Sequence, residues 1–545
     1  MFWKTLRQGP KWTSANAKNV LIRFNSTDEF NYLHRKELIS RSPQSYYPTI
    51  SSVRSSAPVL RIPDFVRSYG LIDFKKYENK RHSDLVQVEG RVKSIRRAGK
   101  AMYFIDIVQD ETKLQLCASN KLLTGMSSEE FSRIHTFIRK GDHIVCVGHP
   151  STTNVGELTV KAMEPIKVTS PCLNSVTLPD KMSDRKLINS HRVLNYLVDV
   201  DLKQKILVKS AVTGAIRDFL TSADFVEVQT PVIAGAGTGA NAEPFITSLR
   251  ALSDEKLLLR VAPELWLKKL VIGGFDKVFE IGMNFRNEGI DATHNPEFQT
   301  CEFYQSFTSL SQLMKITEDM FAFIYDVLDK KSDKLQILRP QIKKLKAFGA
   351  GDFPRYEFIP MMEEKTGCKM PNVLDTENLL EFYKQINLEP PSTKSPAALL
   401  DNLSGIFLES ISEETPDVPI FIYNQPSVMS PLAKSSIVEY GERSFDVSLR
   451  FELFINGKEY VNSYEEENSP YAQAEKFALQ QQTKAEFKDN EALIPDWFYV
   501  QQMEYGLPPT GGWGCGIDRL SMLFSGSERI EDVLTFGTLR DAIRQ

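Results

Sequence analysis

A chain of 545 residues is too long for one hydrophobic core, so about two to four domains are expected. A hydrophobic content of 42% with 25% charged residues excludes wholesale disorder. A formal net charge of −4 excludes a globally basic nucleic-acid binder but leaves room for a local basic patch. No apolar run reaches the roughly 18 residues of a membrane-spanning helix. The six cysteines (Cys117, Cys146, Cys172, Cys301, Cys368 and Cys515) are scattered without a CxxC pair. That spacing argues against a zinc site or a secreted disulfide framework and for a reducing compartment.

Residues 1–27 hold Lys4, Arg7, Lys11, Lys18 and Arg23 and no acidic residue, the pattern of a mitochondrial transit peptide. Residues 28–80 read as an N-terminal extension, rich in Ser, Tyr, Arg and Pro to about 57, with a short helix expected in 62–80. Residues 81–170 change character. VQVEGRV, AMYFIDIV, KLQLCAS, HIVCVGHP and ELTVKAMEPI are five β-rich segments, with a helix expected over 127–139 before the fourth. This is the pattern of a small Greek-key barrel of the OB type. Residues 91–100 carry five basic side chains in ten, next to Tyr103 and Phe104. Cations beside a stacking aromatic suit unstacked nucleotides, although a solvated hairpin with core aromatics has the same composition.

A connector is expected over 171–200, and a second domain over 201–545. Residues 202–223 have a helical pattern and lead into DFVEVQTPVI, a strand ended by Pro231. Such a unit offers a dimer surface or plain core. The Gly-rich stretch 235–245 lets backbone approach a ligand, but it lacks the GK[ST] of a P-loop. Residues 308–410 alternate helical stretches and polar loops and read as an insertion.

Three segments carry chemistry. In FRNEGIDATHNPEFQTCEFY (285–304) a strand, a polar loop and a second strand succeed one another. Arg286 suits phosphate because its planar fork binds two oxygens at once. Glu302 and Tyr304 stand at alternate positions and so share one face. In RFELFINGKEYVNSYEEEN (450–468), Glu452 and Glu459 flank a turn at Asn456-Gly457. Facing one another on paired strands they would hold Mg²⁺, which prefers carboxylates and phosphate oxygens. Asn462, Tyr464 and Glu466 alternate into one cavity. GLPPTGGWGCGIDRLSMLF (506–524) reads as a Gly-rich strand running into a helix whose first turn bears Arg519.

In this order the segments resemble class II aminoacyl-tRNA synthetases, and among them the lysyl-tRNA synthetases of subclass IIb. TPVI at 230–233 is similar to the end of motif 1, FRNEG through CEFY to motif 2, and GIDRL to motif 3. RVAPELWLKKLVIGGFDKVFEIG (260–282) and NQPSVMSPLAK (424–434) add detail particular to the lysyl family. The resemblance covers roughly residues 60–540. With the basic presequence, it points to the family's mitochondrial members and to the matrix.

The resemblance implies an α+β fold: a class II catalytic domain on a mixed, mainly antiparallel sheet with helices, plus an N-terminal OB-fold barrel, acting as a homodimer through the motif 1 region. It implies activation of lysine by ATP and transfer of lysine to tRNA(Lys). Arg286 would hold the α-phosphate and the lysine carboxylate, and Phe298 and Arg519 would sandwich the adenine, with Glu288 at its edge. His294 and Asn295 would lie on the ATP side, and Glu452 and Glu459 would bind Mg²⁺. Lysine would be bound by Glu264, Arg286, Glu302, Tyr304, Asn462, Tyr464 and Glu466, with Glu264 on the α-ammonium and Glu466 with Tyr304 on the ε-ammonium. In the barrel, Phe104 would stack the central anticodon base, Gln115 read its edge, and Arg96 rather than Arg97 contact the RNA. So acidic a pocket repels aspartate and leaves asparagine beside unpaired carboxylates, which sets aside the aspartyl and asparaginyl relatives. The barrel sets aside the protein-modifying lysine ligases. Intact Arg286, Arg519 and metal carboxylates argue against a synthetase-like RNA-binding module that has lost its chemistry.

Overall fold

In the first unit, five strands whose residues pair almost without interruption build a barrel, two of them (Thr112–Ser119 and His143–Thr152) buried along most of their length. The computed structural model describes residues 26–543 apart from Lys100, Thr124, 175–181, Ser183, Asn241 and 488–493, and it divides into units Met1–Asp180 and Lys181–Gln545. The expected presequence therefore lies outside the described residues, except for Ser26 and Thr27.

The described part of the first unit begins with helix α1 (Ser26–Arg41), where the composition read as an extension with no helix before residue 62. Its Arg35 explains the difference. The guanidinium bonds the buried Asp142 at 2.7 Å, and Asp142 also accepts the N–H groups of Arg139 and Cys172, both at 2.8 Å. The short helix expected in 62–80 forms at Ile62–Tyr69 and buries Ile62, Phe65 and Tyr69 in the barrel's core. The barrel strands are β1 (Val86–Arg97), β2 (Met102–Gln109), β3 (Thr112–Ser119), β4 (His143–Thr152) and β5 (Leu158–Ala162), with helix α2 (Ser128–Phe137) between β3 and β4. They pair in the circular order β1–β2–β3–β5–β4–β1, parallel only between β3 and β5. Closure leaves no free edge among these five, as an OB barrel requires. Val88, Ile105, Ile107, Leu116 and Val160 are sealed inside.

In the second unit two short helices (Arg185–Ser190 and Arg192–Val198) lead into helix α3 (Val200–Ser222), whose N-cap Asp199 accepts the N–H groups of Asp201 and Leu202. Its sheet comprises β6 (Val226–Glu227), β7 (Lys277–Phe285), β8 (Glu297–Ser306), β9 (Arg355–Glu357), β10 (Ile420–Tyr423), β11 (Arg450–Ile455), β12 (Lys458–Glu465) and β13 (Thr510–Gly516), in the order β9-β10-β11-β12-β13-β8-β7-β6. Only the outermost pairs, β9 with β10 and β6 with β7, run parallel. Helix α4 (Glu264–Ile272) precedes β7, α5 (Leu310–Lys331) follows β8, and α6 (Ile517–Ser525) follows β13.

Period-two alternation gives the sheet two unlike faces. Cys301 and Phe303 of β8 and Trp513 of β13 join a core with Val208 and Ile216 of α3, Phe321 of α5 and Ile517 of α6. The residues between them, Glu302, Tyr304, Gly512 and Gly514, line a cavity. The insertion read at 308–410 divides differently. Helix α5 belongs to the main core, while a separate core (Phe358, Leu379, Phe382, Leu403, Phe445 and Val447) begins later and runs past residue 410. The strand expected to end at Pro231 shrinks to β6, because Thr230 instead hydrogen-bonds the buried Glu280 and Arg260.

Candidate functional site

Three sequence-distant segments meet on the open face of the sheet because β8, β13 and β12 are consecutive neighbours there. Antiparallel registers set Glu302 opposite Gly514 and Gly514 opposite Asn462. Tyr304, Gly512 and Tyr464 form the next row. The cavity above them measures about 490 Å³. Its lining includes Glu264, Arg286, Glu288, His294, Asn295, Phe298, Glu302, Tyr304, Glu452, Glu459, Asn462, Tyr464 and Arg519. Of the residues expected in this site, Glu466 alone is not among them.

One end is acidic and buried. Glu264, at the start of α4, accepts the backbone N–H of Ala240 at 3.2 Å and the Tyr464 hydroxyl at 2.5 Å. The Gly-rich loop makes this approach possible. Gly239 has φ +109°, and a Cβ there would sit 2.5 Å from Glu264 Oε2. Glu302 is 9% exposed, and among the described residues the side chain that hydrogen-bonds it is Tyr304, whose hydroxyl donates at 3.4 Å. Burial, reinforced by the neighbouring Glu264, pushes its carboxyl up to about 8. Burial likewise holds the Tyr304 and Tyr464 hydroxyls well above their usual range, so both stay neutral donors. Glu466 is buried just behind Gly512, ion-paired with Lys268 of α4.

The other end gathers cations and a pair of carboxylates. The Arg286 guanidinium lies 5.1 Å over the Phe298 ring. Arg519 donates to the Glu459 carbonyl at 2.9 Å and meets His294 Nε2 at 2.8 Å, while His294 Nδ1 pairs with Asp291 at 2.8 Å. Asn295 has both ends of its amide engaged, donating to the Glu297 carbonyl and accepting from the Leu539 N–H. Its side chain therefore fixes the loop at the cavity's edge. Arg450 binds Glu452 and donates to Asn462 at 3.0 Å.

The metal carboxylates do not face one another across the hairpin as expected. Glu452 pairs with Asn462, and Glu459 with Phe454, across a bulge at Leu453/Phe454. The turn itself forms at Asn456-Gly457, both at positive φ. Both carboxylates still line the cavity. Burial and Glu459, opposed by Arg450, leave the Glu452 carboxyl at about 7. Among the described residues no set of three His, Cys, Asp or Glu ligands gathers. A pair of carboxylates without a cage suits Mg²⁺, which takes its other oxygens from phosphate and water.

In the barrel unit, cross-strand registers align Arg96, Phe104, Cys117, Lys161 and His149 in one row. The Arg96 guanidinium lies 5.0 Å from the half-exposed Phe104 ring, whereas Arg97 is level with the buried Tyr103. Gln115, one row away, donates to Glu157 at 2.8 Å and keeps a buried Oε1 without a hydrogen-bond partner.

Sequence reasoning missed Arg450, Lys268 and Glu157. Arg450 had a usable signal, since it alternates with Glu452 on one strand face; Lys268 showed only a helical i,i+4 spacing from Glu264, and Glu157 had none, because Glu466 and Gln115 lie far off in the chain.

Comparison with known proteins follows the same division. The family of class II tRNA synthetases (D, K and N) matches residues 184–540, and the OB-fold nucleic acid binding domain of the anticodon-binding type matches residues 86–166. The mitochondrial lysine–tRNA ligase of Schizosaccharomyces pombe is 37% identical over 518 residues, 93% of this chain and 92% of the relative. That of Saccharomyces cerevisiae is 35% identical over 590 residues, 99% of each chain. A probable cytoplasmic lysine–tRNA ligase of Enterocytozoon bieneusi is 37% identical, covering 85% of this chain and 88% of the relative.

Proposed function

The chain belongs to the class II tRNA synthetases of the D, K and N group, and from its kinship with the lysine–tRNA ligases we propose how its residues activate lysine and charge tRNA(Lys) in the mitochondrion. The enzyme is an AMP-forming lysine–tRNA ligase. The observation that carries the substrate choice is the acidic end of the cavity, where Glu264 and Glu302 are buried beside two neutral tyrosine hydroxyls and Glu466 stands directly behind. Such a site needs cations to fill it.

In the proposed complex Glu264 receives the α-ammonium of lysine, while Glu302, Tyr304 and Glu466 surround the ε-ammonium. Asn462 and Tyr464 complete the walls. Arg286 draws the lysine carboxylate and the ATP α-phosphate together, so that the carboxylate oxygen attacks phosphorus and pyrophosphate departs. Phe298 and Arg519 take the two faces of the adenine, with Glu288 at its edge and His294 by the outer phosphates. Glu452 and Glu459 would hold Mg²⁺, which supplies charge neutralisation to the phosphates when bound. Rate comes from positioning and preorganised charge rather than from a side-chain nucleophile. The lysyl group then passes to the tRNA 3′ end, with Arg96, Phe104 and Gln115 on the anticodon.

A mitochondrial matrix location is supported by the acid-free basic segment 1–27 and by the printed names of the two yeast relatives, although the Enterocytozoon relative is named cytoplasmic. A homodimer through the motif 1 region is supported by exposed apolar side chains there, Val226, Ile233, Ile246, Leu249 and Leu252. Amino-acid-dependent ATP–pyrophosphate exchange with lysine, aspartate and asparagine in parallel tests the central reading. Exchange with lysine alone is expected, and exchange with aspartate or asparagine overturns the pocket argument. Sedimentation tests the dimer, and a reporter fused behind residues 1–27 tests targeting.

A further inference from the structure

Lys268 is a charge with no exposure at all in the second unit, and the proposed chemistry gives it no work. Its side chain is fully buried. The ammonium bonds Glu264 Oε1 at 2.8 Å and pairs with Glu466 Oε2, and it lies 5.5 Å from the Tyr464 ring. Burial alone would lower its pKa, but the two carboxylates outweigh that and hold it above its usual range, so it is charged. The other oxygen of each carboxylate is turned elsewhere. Glu264 Oε2 meets the Ala240 N–H, and Glu466 Oε1 has no hydrogen-bond partner and lies against Gly512, a residue of the cavity wall.

We propose that Lys268 is a resident counter-cation that sets the charge of the amino-acid pocket: it ties together the carboxylates assigned to the two ends of the substrate, with Glu466 Oε1 left unpartnered and Glu264 Oε2 held by a single backbone N–H. The inference rests on the lysine-activating reading above. Charge counting makes it specific. Glu264, Glu302 and Glu466 contribute three negative charges, Lys268 one positive charge, and lysine's two ammonium groups the remaining two. The substrate carboxylate is matched separately by Arg286. The filled pocket is neutral only with Lys268 in place and only with an amino acid that carries a second cation. In the empty pocket burial raises Glu302 to about 8 against Arg286 and Arg260, and holds Glu466 well above the usual carboxylate range even beside Lys268, so the full set of three negative charges belongs to the lysine-filled pocket. Lys268 touches no reacting atom in this scheme; it is a positioning and specificity residue.

The test is a double-mutant cycle on the full chain, read as KM for lysine and for ATP in pyrophosphate exchange. Lys268→Met leaves one unmatched negative charge with lysine bound, and Glu466→Gln leaves one unmatched positive charge. Each is expected to raise the lysine KM at least tenfold with the ATP KM within twofold of wild type. Lys268→Met/Glu466→Gln restores neutrality and is expected to bind lysine at least tenfold better than the worse single variant. If one single variant does not fold, the double is compared with the other, and it must still be the better of the two. A double variant as poor as the product of the singles, or poorer than the surviving single, overturns the proposal. Wild-type protein without lysine-dependent exchange would instead remove the reading on which it rests.

Discussion

Gly512 stands where the architecture of the pocket is tightest, and replacing it with alanine isolates that constraint. A Cβ at this position would lie 2.0 Å from Glu466 Oε1 and 2.6 Å from Tyr304 Cε1, both well inside van der Waals contact. Neither neighbour has room to yield. Glu466 is 2% exposed and held by Lys268, and Tyr304 is 3% exposed within its strand. Two opposing effects set the magnitude. Losing a glycine stabilises the fold by about 0.4–1 kcal/mol through the unfolded chain, whereas overpacking a filled site costs about 1–3 kcal/mol. Overpacking wins, so Gly512→Ala is expected to destabilise the second unit by about 1–2 kcal/mol and lower its melting midpoint by a few degrees. Because a displacement of about 1 Å at a binding group can cost about 100-fold, the lysine KM should rise by one to two orders of magnitude. Gly514→Ala is the control for stability. The same methyl there would sit 3.5 Å from Glu302 Cγ and 3.7 Å from the Asn462 carbonyl, which is ordinary contact, so its melting midpoint should hold or rise. The assays are calorimetric melting and lysine-dependent pyrophosphate exchange. A Gly512→Ala enzyme with wild-type melting and wild-type lysine KM refutes the packing argument.

At pH 7 the Glu302 carboxyl, at about 8 in the empty pocket, carries its proton; taking up lysine's ammonium ionises it, so binding should release up to about one proton. Lysine titrations in buffers of different ionisation heat measure this, and heats independent of buffer contradict it. The sign for stability is opposite to that of an ordinary salt-bridged acid. Its folded pKa is raised above 4.5, so its contribution is complete below about 4.5 and fades as pH rises toward 8; thermal scans of empty enzyme should show this decline and saturating lysine should reduce it. In the barrel, Phe104→Ala should raise the tRNA KM about tenfold or more, as expected when a stacked base loses its platform; an unchanged aminoacylation KM removes Phe104 from the anticodon site. Arg35→Ala strands the buried Asp142 carboxylate, at a cost of about 3–5 kcal/mol. Limited proteolysis should then cut the first unit faster, and an unchanged cleavage rate means Arg35 does not anchor α1.

Local pattern made the barrel and the sheet legible. Five short strands at turn-bounded spacing, the Asn456-Gly457 turn and the alternation of Glu302 with Tyr304 all depend on neighbours within a few residues, and each appears as read. What failed depended on distant partners. The extension at 28–57 was read without its helix because nothing nearby announces that Arg35 will find Asp142. The Glu452–Glu459 register slipped because a bulge at Leu453/Phe454 leaves no mark in composition. The insertion was drawn too early because α5 has the same helical pattern whether it packs on the main core or outside it.

Lys268 shows most clearly why such a site resists reading from the chain alone. Glu264 and Lys268 stand four residues apart on a helix, which in sequence reads as an exposed ion pair worth about 0.3–0.5 kcal/mol. Helix α4 is apolar around most of its circumference, with Leu265, Leu267 and Val271 all buried, so its hydrophobic pattern does not say which way the pair points. Only the sheet decides. Gly512 removes the side chain that would block Glu466, Glu466 then reaches Lys268 behind the cavity wall, and Lys268 in turn keeps Glu264 from being a lone buried anion. Each of these residues is costly to bury by itself, and only the set is stable. The energetic unit of this pocket is therefore a constellation drawn from α4, β13 and the end of β12, and a change at any one member should be felt at the others.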